Sequence, residues 1–206
     1  MTLVSSGAGK SSLMTALMRL TELDQGRILI DGIDIKKVGL TKLRSSITIV
    51  PQDPVLFSGT VQSNIDPFHH HSEDRLVTAL DRVGLLGPVN SVHDPVEQNG
   101  NNFSAGQRQL LVIARAMLDS AAIVICDEAT ASIDAESDAR IQKVFRTEFA
   151  NSTTLTVAHR LNTIMDCTDI LVMSDGVAVE FDSPSVLLSR ESLFKDLVDT
   201  WEKEHH

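Results

Sequence analysis

The fold class is decided by Ser6-Gly7-Ala8-Gly9-Lys10-Ser11-Ser12, a glycine-rich segment that ends in a lysine and two serines. Residues 2–4 before it have the character of a strand, and residues 11–23 after it repeat leucine at a helical spacing. A strand, a glycine turn and a helix start direct several backbone N–H groups at one point, where the helix dipole adds partial positive charge. We therefore predict a phosphate-binding loop in an α/β fold.

The lysine and the first serine after it carry the expected chemistry of this loop. Lys10 is predicted to reach the β and γ phosphates of ATP, and the Ser11 hydroxyl is predicted to ligate Mg²⁺. The usual pattern, G-x-x-x-x-G-K-[ST], has glycine at the position that Val4 occupies here, and a β-branched residue resists positive φ. An ordinary glycine–serine turn before a helix is the alternative.

A pair of carboxylates, Asp127-Glu128, directly follows the apolar run at residues 122–126. Such a run predicts a buried strand, and open α/β sheets bind their ligands at the carboxyl ends of their strands. We expect Asp127 to hold Mg²⁺ through water and Glu128 to orient the attacking water as a base for phosphoryl transfer. A polar strand end that begins a loop is the alternative.

The segment Ser104-Ala105-Gly106-Gln107 has two compatible interpretations. Serine followed by glutamine at the third position is a helix capping box. Capping alone does not require Gly106, which costs up to about 1 kcal/mol in a helix. Glycine there would also let a phosphate approach the helix N-terminus.

Three further polar residues stand at positions where strands or loops end. Gln52 follows a strand predicted at residues 47–50 and is expected to touch Mg²⁺ or water, whereas His159 follows residues 155–158 and is expected to donate to the γ-phosphate. Asp134 lies just beyond the carboxylate pair, where a helix cap is the simpler interpretation. Alone, Gln52 is more often a loop amide and His159 a core histidine.

The composition excludes several classes of function. The 206 residues carry a net charge of −10, which argues against a nucleic-acid surface. The longest apolar runs are far shorter than the roughly 18 residues that span a bilayer. We therefore expect any membrane association to come through a partner or through segments not present in this chain. Cys126 and Cys167 have no metal-ligand spacing.

Periodicity predicts the remaining elements. Asp31-Gly32 predicts a hairpin turn. Helical patterns dominate from about residue 60 to 118, which suggests a helical insertion into the strand–helix core. The further segments predicted from periodicity are helices at residues 73–83 and 108–118 and strands at residues 123–126, 154–157, 170–173 and 177–181. His69-His70-His71 is interpreted as a surface loop rather than a metal site.

Taken together, these residues resemble the nucleotide-binding domain of ATP-binding-cassette (ABC) transporters, over essentially the whole chain. The matching segments are the Walker A loop at residues 6–12, the Q-loop glutamine Gln52, the signature at residues 103–107, the Walker B strand with its catalytic glutamate at residues 123–128, the D-loop at residues 132–134 and the switch histidine His159. The segments Val55–Val61 and Asn64–Phe68 further resemble the second nucleotide-binding domain of the multidrug-resistance-associated subfamily.

The resemblance implies a P-loop NTPase fold across residues 1–206, with a mostly parallel core sheet, a helical signature subdomain and peripheral antiparallel strands. It implies ATP and Mg²⁺ as cofactors and ATP hydrolysis that drives a membrane exporter. It also implies two kinds of partner: transmembrane domains, and a second nucleotide-binding domain in a head-to-tail sandwich. In that sandwich Ser104, Ala105, Gly106 and Gln107 would serve the partner's nucleotide.

The chain departs from the family pattern in three ways. Val4 replaces a glycine, Ala105 replaces the usual middle residue of the signature, and the strands and adenine-stacking aromatic that precede the glycine loop are missing. We therefore expect a truncated domain. The alternatives are a nucleotide-sensing regulatory domain, an inert fragment, and a soluble cassette protein acting on ribosomes or DNA, against which the acidic charge counts.

Overall fold

The computed structural model describes residues 2–4, 9–127, 133, 135–157 and 164–205. The chain divides into two compact units. The first unit comprises Met1–Ile47 together with Thr154–His206, and the second comprises Thr48–Thr153. The predicted helical insertion at residues 60–118 lies within the second unit, and its exact role as a separate subdomain stays a prediction.

The first unit is a strand–helix arrangement built around a parallel pairing. Its strands are β1 (Thr2–Val4), β2 (Leu29–Ile30), β3 (Ile33–Asp34), β8 (Thr153–Val157), β9 (Ile170–Ser174) and β10 (Val177–Asp182), and its helices are α1 (Lys10–Leu17), α2 (Leu40–Ser45), α7 (Pro184–Leu188) and α8 (Leu193–His205). Strand β1 pairs in parallel with both β8 and β9, while β10 is antiparallel to β9. The strands at 154–157, 170–173 and 177–181 are thereby confirmed.

The core of this unit forms where β9 faces the two C-terminal helices. Ile170 and Val172 of β9 are buried against Leu187 of α7 and Phe194 of α8. Phe194 is fully buried, and aromatic side chains of this size contribute much of a core's apolar area. This packing holds β9, and through it the short strand β1 that leads to the glycine loop.

The predicted hairpin is confirmed, whereas the first helix is shorter than predicted. Asp31 and Gly32 have φ of +49° and +76°, which is the geometry of a type I′ turn. Helix α1 ends at Leu17, whereas the leucine spacing predicted a helix to residue 23. Arg19 adopts φ +51° and its guanidinium donates to the carbonyls of Ile35 and Val38, so a tertiary contact ends the helix early.

The second unit surrounds one central helix. Its elements are β4 (Ile47–Val50), β5 (Gly59–Thr60), α3 (Val61–Ile65), α4 (Glu73–Arg82), β6 (Pro95–Val96), α5 (Ala105–Asp119), β7 (Ile123–Asp127) and α6 (Ala135–Glu148). Helix α5 contacts α3, α4 and α6, and the consecutive residues Leu110 to Ala114 are all buried. Five consecutive buried residues cover every side of the helix over that stretch, so this part of α5 belongs to the core. Strand β7 lies beside β4.

The predicted helices of this region are confirmed, with one addition. The pattern at residues 73–83 corresponds to α4, and the pattern at 108–118 lies inside α5. Strands β5 and β6, which flank α3 and α4 in the sequence, pair in antiparallel fashion with Gly59 opposite Val96, and a purely helical interpretation of the segment missed this pair. Over the part of the chain that the structure describes, no helix is long and apolar enough to cross a membrane.

Candidate nucleotide-binding site

The glycine loop leads directly into α1. Gly9 is the N-terminal cap of this helix, with φ +100° and ψ +9°, a left-handed conformation that side chains rarely adopt. Its carbonyl accepts the Leu13 N–H at 3.0 Å, and Lys10 is the first helical residue. Glycine offers no side-chain cap, so the first N–H groups of α1 suit an anionic ligand. Of the other predicted loop residues, Ser12 is exposed, and Ser6, Gly7 and Ala8 lie outside the described residues.

The predicted carboxylate site stands at the end of a buried strand. Ile123 to Cys126 are buried, and Asp127, the last residue of β7, is half-buried. An apolar strand with a carboxylate at its carboxyl end is therefore confirmed. The following Glu128 lies outside the described residues, as do Asp134 and His159.

Gln52 stands just beyond the neighbouring strand. It follows β4 by two residues and is exposed. Gln52 therefore lies just beyond the carboxyl end of β4, and Asp127 lies at the carboxyl end of the neighbouring strand β7. Parallel strands of α/β proteins gather ligand-binding groups at such ends. An amide oxygen and a carboxylate oxygen are both suitable ligands for Mg²⁺.

The signature segment begins α5 with the predicted capping box. The Ser104 hydroxyl accepts the Gln107 N–H at 3.2 Å, and the Gln107 side-chain oxygen accepts the Ser104 N–H at 2.8 Å. Both side chains therefore satisfy backbone groups at the start of this helix. Ser104 remains exposed, so its position does not prevent contact with a ligand.

Gly106 has a structural role that the sequence did not reveal. It is buried, and a Cβ built on it would lie 3.0 Å from the Cβ and 3.1 Å from the Oγ of Ser137 on α6. Helices α5 and α6 therefore approach each other closely at this point. Ile133 lies in ordinary contact at 3.9 Å. The approach of a phosphate to Gly106 stays a prediction, because packing alone already requires a small residue here.

We expect Gly106→Ala to lower the free energy of unfolding by about 1–3 kcal/mol, because the added methyl group overpacks the contact with Ser137. Alanine has the higher helix propensity, so a purely local effect would have the opposite sign. Urea denaturation measures the change. The matched control is Gly106→Ala combined with Ser137→Gly, which removes the opposing Cβ and should recover part of the loss. A stabilised single variant would contradict the prediction.

The histidine run is part of a surface loop, as predicted. His69 and His70 are exposed, and the backbone N–H groups of His70 and His71 donate to the buried Asp66 carboxylate at 3.0 and 2.9 Å. Burial raises the pKa of Asp66, but these hydrogen bonds and the positive charge of the two rings hold that pKa below its ordinary value overall. Among the described residues, no group of three or more histidine, cysteine or acidic side chains could hold a metal ion.

One polar residue near the candidate site was missed. Gln109 on α5 is fully buried, and its side-chain amide donates to the carbonyl of Pro51 at 3.2 Å. Pro51 directly precedes Gln52. A glutamine directly before the buried run Leu110 to Ala114 was the available signal, since buried amides are retained where they have a partner.

The chain matches the model of a known protein family. The family is described as "ABC transporter", and the match covers residues 3–131. ABC transporter C family member 5 of Arabidopsis thaliana is 48% identical over 198 residues, which are 94% of this chain. ABC transporter C family member 8 of Dictyostelium discoideum is 48% identical over 206 residues, which are 98% of this chain.

A third relative and a solved structure agree. The pleiotropic ABC efflux transporter of multiple drugs YBT1 of Candida glabrata is 45% identical over 94% of this chain. The chain spans 13% of the length of each of these three relatives. The structure of a bacterial Atm1-family ABC exporter with ATP bound superposes with a TM-score of 0.87 at 33% identity, over 100% of this chain and 36% of that one.

Proposed function

Because the chain belongs to the ABC transporter family, we propose that it binds ATP with Mg²⁺ and hydrolyses it to power a membrane exporter. The observation that best supports this proposal is the start of α1, where Lys10 directly follows Gly9 and Gly9 has a left-handed conformation. A helix N-terminus without a side-chain cap, with a lysine in its first position and no acidic residue in its first turn, suits a polyphosphate.

Each predicted site residue has a role in this proposal. Lys10 binds the phosphates by charge, with backbone groups of Ser6, Gly7, Ala8, Gly9, Ser11 and Ser12 contributing N–H donors. The Ser11 hydroxyl, Gln52 and Asp127 hold Mg²⁺, which supplies charge neutralisation at the phosphates when it is bound. Glu128 orients the attacking water and accepts its proton, and His159 donates to the γ-phosphate.

The proposal includes a second nucleotide-binding domain and transmembrane domains as partners. The exposed Ser104 at the start of α5, with Ala105, Gly106 and Gln107, serves the partner's nucleotide, and Asp134 is assigned to the contact with the partner. In support, the relatives are named transporters and the chain spans only 13% of their length. Membrane attachment would then come from parts of the protein other than this chain.

Nucleotide binding is tested by Lys10→Ala. Hydrogen bonds to charged groups are worth about 1.5–3 kcal/mol, so the Kd for ATP should rise by roughly 10- to 100-fold. The measurement is displacement of a fluorescent ATP analogue from the chain. Lys143→Ala, which removes an exposed lysine from α6, is the matched control and should leave Kd unchanged. A Kd for Lys10→Ala within about twofold of the parent would contradict the proposal, since a lost charged contact is worth more.

A further inference from the structure

We propose that Gln109 is a positioning residue for Gln52, and this inference rests on the proposed role of Gln52 as a Mg²⁺ ligand. The Gln109 side chain is 0% exposed and reaches out of the core helix α5 to donate to the Pro51 carbonyl at 3.2 Å. Its target is the backbone group directly before Gln52.

The geometry of the peptide bond explains why this target matters. The Pro51 carbonyl and the Gln52 N–H belong to one planar peptide unit. A hydrogen bond to that carbonyl therefore sets the orientation of the plane from which the Gln52 side chain projects. Proline restricts its own φ as well, so the approach to Gln52 is held from two sides. Gln52 itself is exposed.

Helix α5 also contacts nearby stretches of chain through side chains further along the helix. Arg115 donates to the Asn64 carbonyl at 2.7 Å, and the Asp119 carboxylate accepts the Thr48 hydroxyl at 3.0 Å. These contacts hold β4 and α3 on the helix. Of the three, the Gln109 contact is the one adjacent to Gln52, so the three contacts can be separated by mutation.

The energetics argue that Gln109 is more than a packing residue. Its second polar atom, Oε1, is buried and has no hydrogen-bond partner among the residues that the structure describes. A buried acceptor without a partner costs free energy that an apolar side chain of similar size would avoid. Leu110 and Leu111 beside it are buried, so methionine would suit the surroundings. Glutamine at this position is therefore explained by the contact that it makes.

The contact also joins two predicted site segments. Gln109 lies in the second turn of the helix that Ser104 caps and whose first turn carries Gln107. The Gln109 amide therefore connects the beginning of α5 with the Pro51–Gln52 peptide.

The test compares two affinities of the chain, for ATP with excess Mg²⁺ and for ATP with EDTA. Gln109→Met should weaken binding of ATP with Mg²⁺ by about 3- to 10-fold, the value of one hydrogen bond, and leave binding in EDTA unchanged. Gln52→Ala should show the same selectivity. The double variant should be no weaker than Gln52→Ala alone, because Gln109 acts through Gln52. Gln109→Asn, whose amide is too short to reach Pro51, should behave like Gln109→Met.

Thr48→Val is the matched control. It removes a different hydrogen bond between α5 and the β4 segment, and both affinities should stay at the parental values. Equal weakening in Mg²⁺ and EDTA by Gln109→Met, or additivity of the two glutamine substitutions, would overturn the inference. If Gln52→Ala shows no Mg²⁺ selectivity, the proposed role of Gln52 fails and this inference fails with it. If only the Gln109 variants lack selectivity, the inference fails while the proposed function stands.

Discussion

Replacing Glu128 by glutamine should lower steady-state ATP turnover by about 10²- to 10⁴-fold, while ATP binding is retained. The substitution keeps the size of the side chain but removes its ability to accept a proton. Glu128 directly follows Asp127, the half-buried last residue of the apolar strand β7. A base at that position orients water for in-line attack on the γ-phosphate.

The measurement is phosphate release by the chain in the presence of the proposed partner nucleotide-binding domain, with ATP binding determined separately. Glu191→Gln, which changes an exposed carboxylate between α7 and α8, is the matched control and should leave the rate unchanged. A Glu128→Gln rate within a factor of about three of the parent would exclude Glu128 as the base, because a positioned base contributes far more. Slow single-turnover release by the parent itself would instead favour a nucleotide-sensing function.

The chain alone should hydrolyse ATP very slowly, and its activity should depend steeply on the concentration of a partner domain. Stabilising the charge that develops in phosphoryl transfer requires preorganised donors in a site that excludes water. In the proposed assembly the partner's signature segment supplies some of these donors, so one domain offers an incomplete site. Substituting the signature serine of the partner should abolish the increase in rate.

The reciprocal variant tests this chain's own signature. Ser104→Ala should slow hydrolysis at the partner's site, and it should also cost about 1 kcal/mol of stability because it removes the N-terminal cap of α5. Gln107→Glu preserves a capping box and serves as the control for stability. High activity per molecule that stays constant on dilution of a demonstrated monomer would contradict the composite site.

Much of the candidate site could be predicted because its signals are local. Asp31-Gly32 forms the expected turn, Lys10 begins a helix after Gly9, and Asp127 ends an apolar strand. Each of these features depends on residues that are adjacent in the chain. The turn needs residues that accept a positive φ, the helix needs a residue that starts it, and the strand needs a run of apolar residues. The chemical roles of these residues remain predictions, as do those of Glu128 and His159, which lie outside the described residues.

The sequence by itself determined the main helices and strands, the start of α1 after Gly9, the carboxylate at the end of β7 and the capping box of α5. Only the tertiary structure decided where α1 ends, since Arg19 bonds to carbonyls far along the chain. It alone showed the close approach of Gly106 to Ser137 and the hydrogen bond from Gln109 to Pro51. These features depend on which elements pack together, and contacts between residues distant in sequence leave no periodic pattern in either segment.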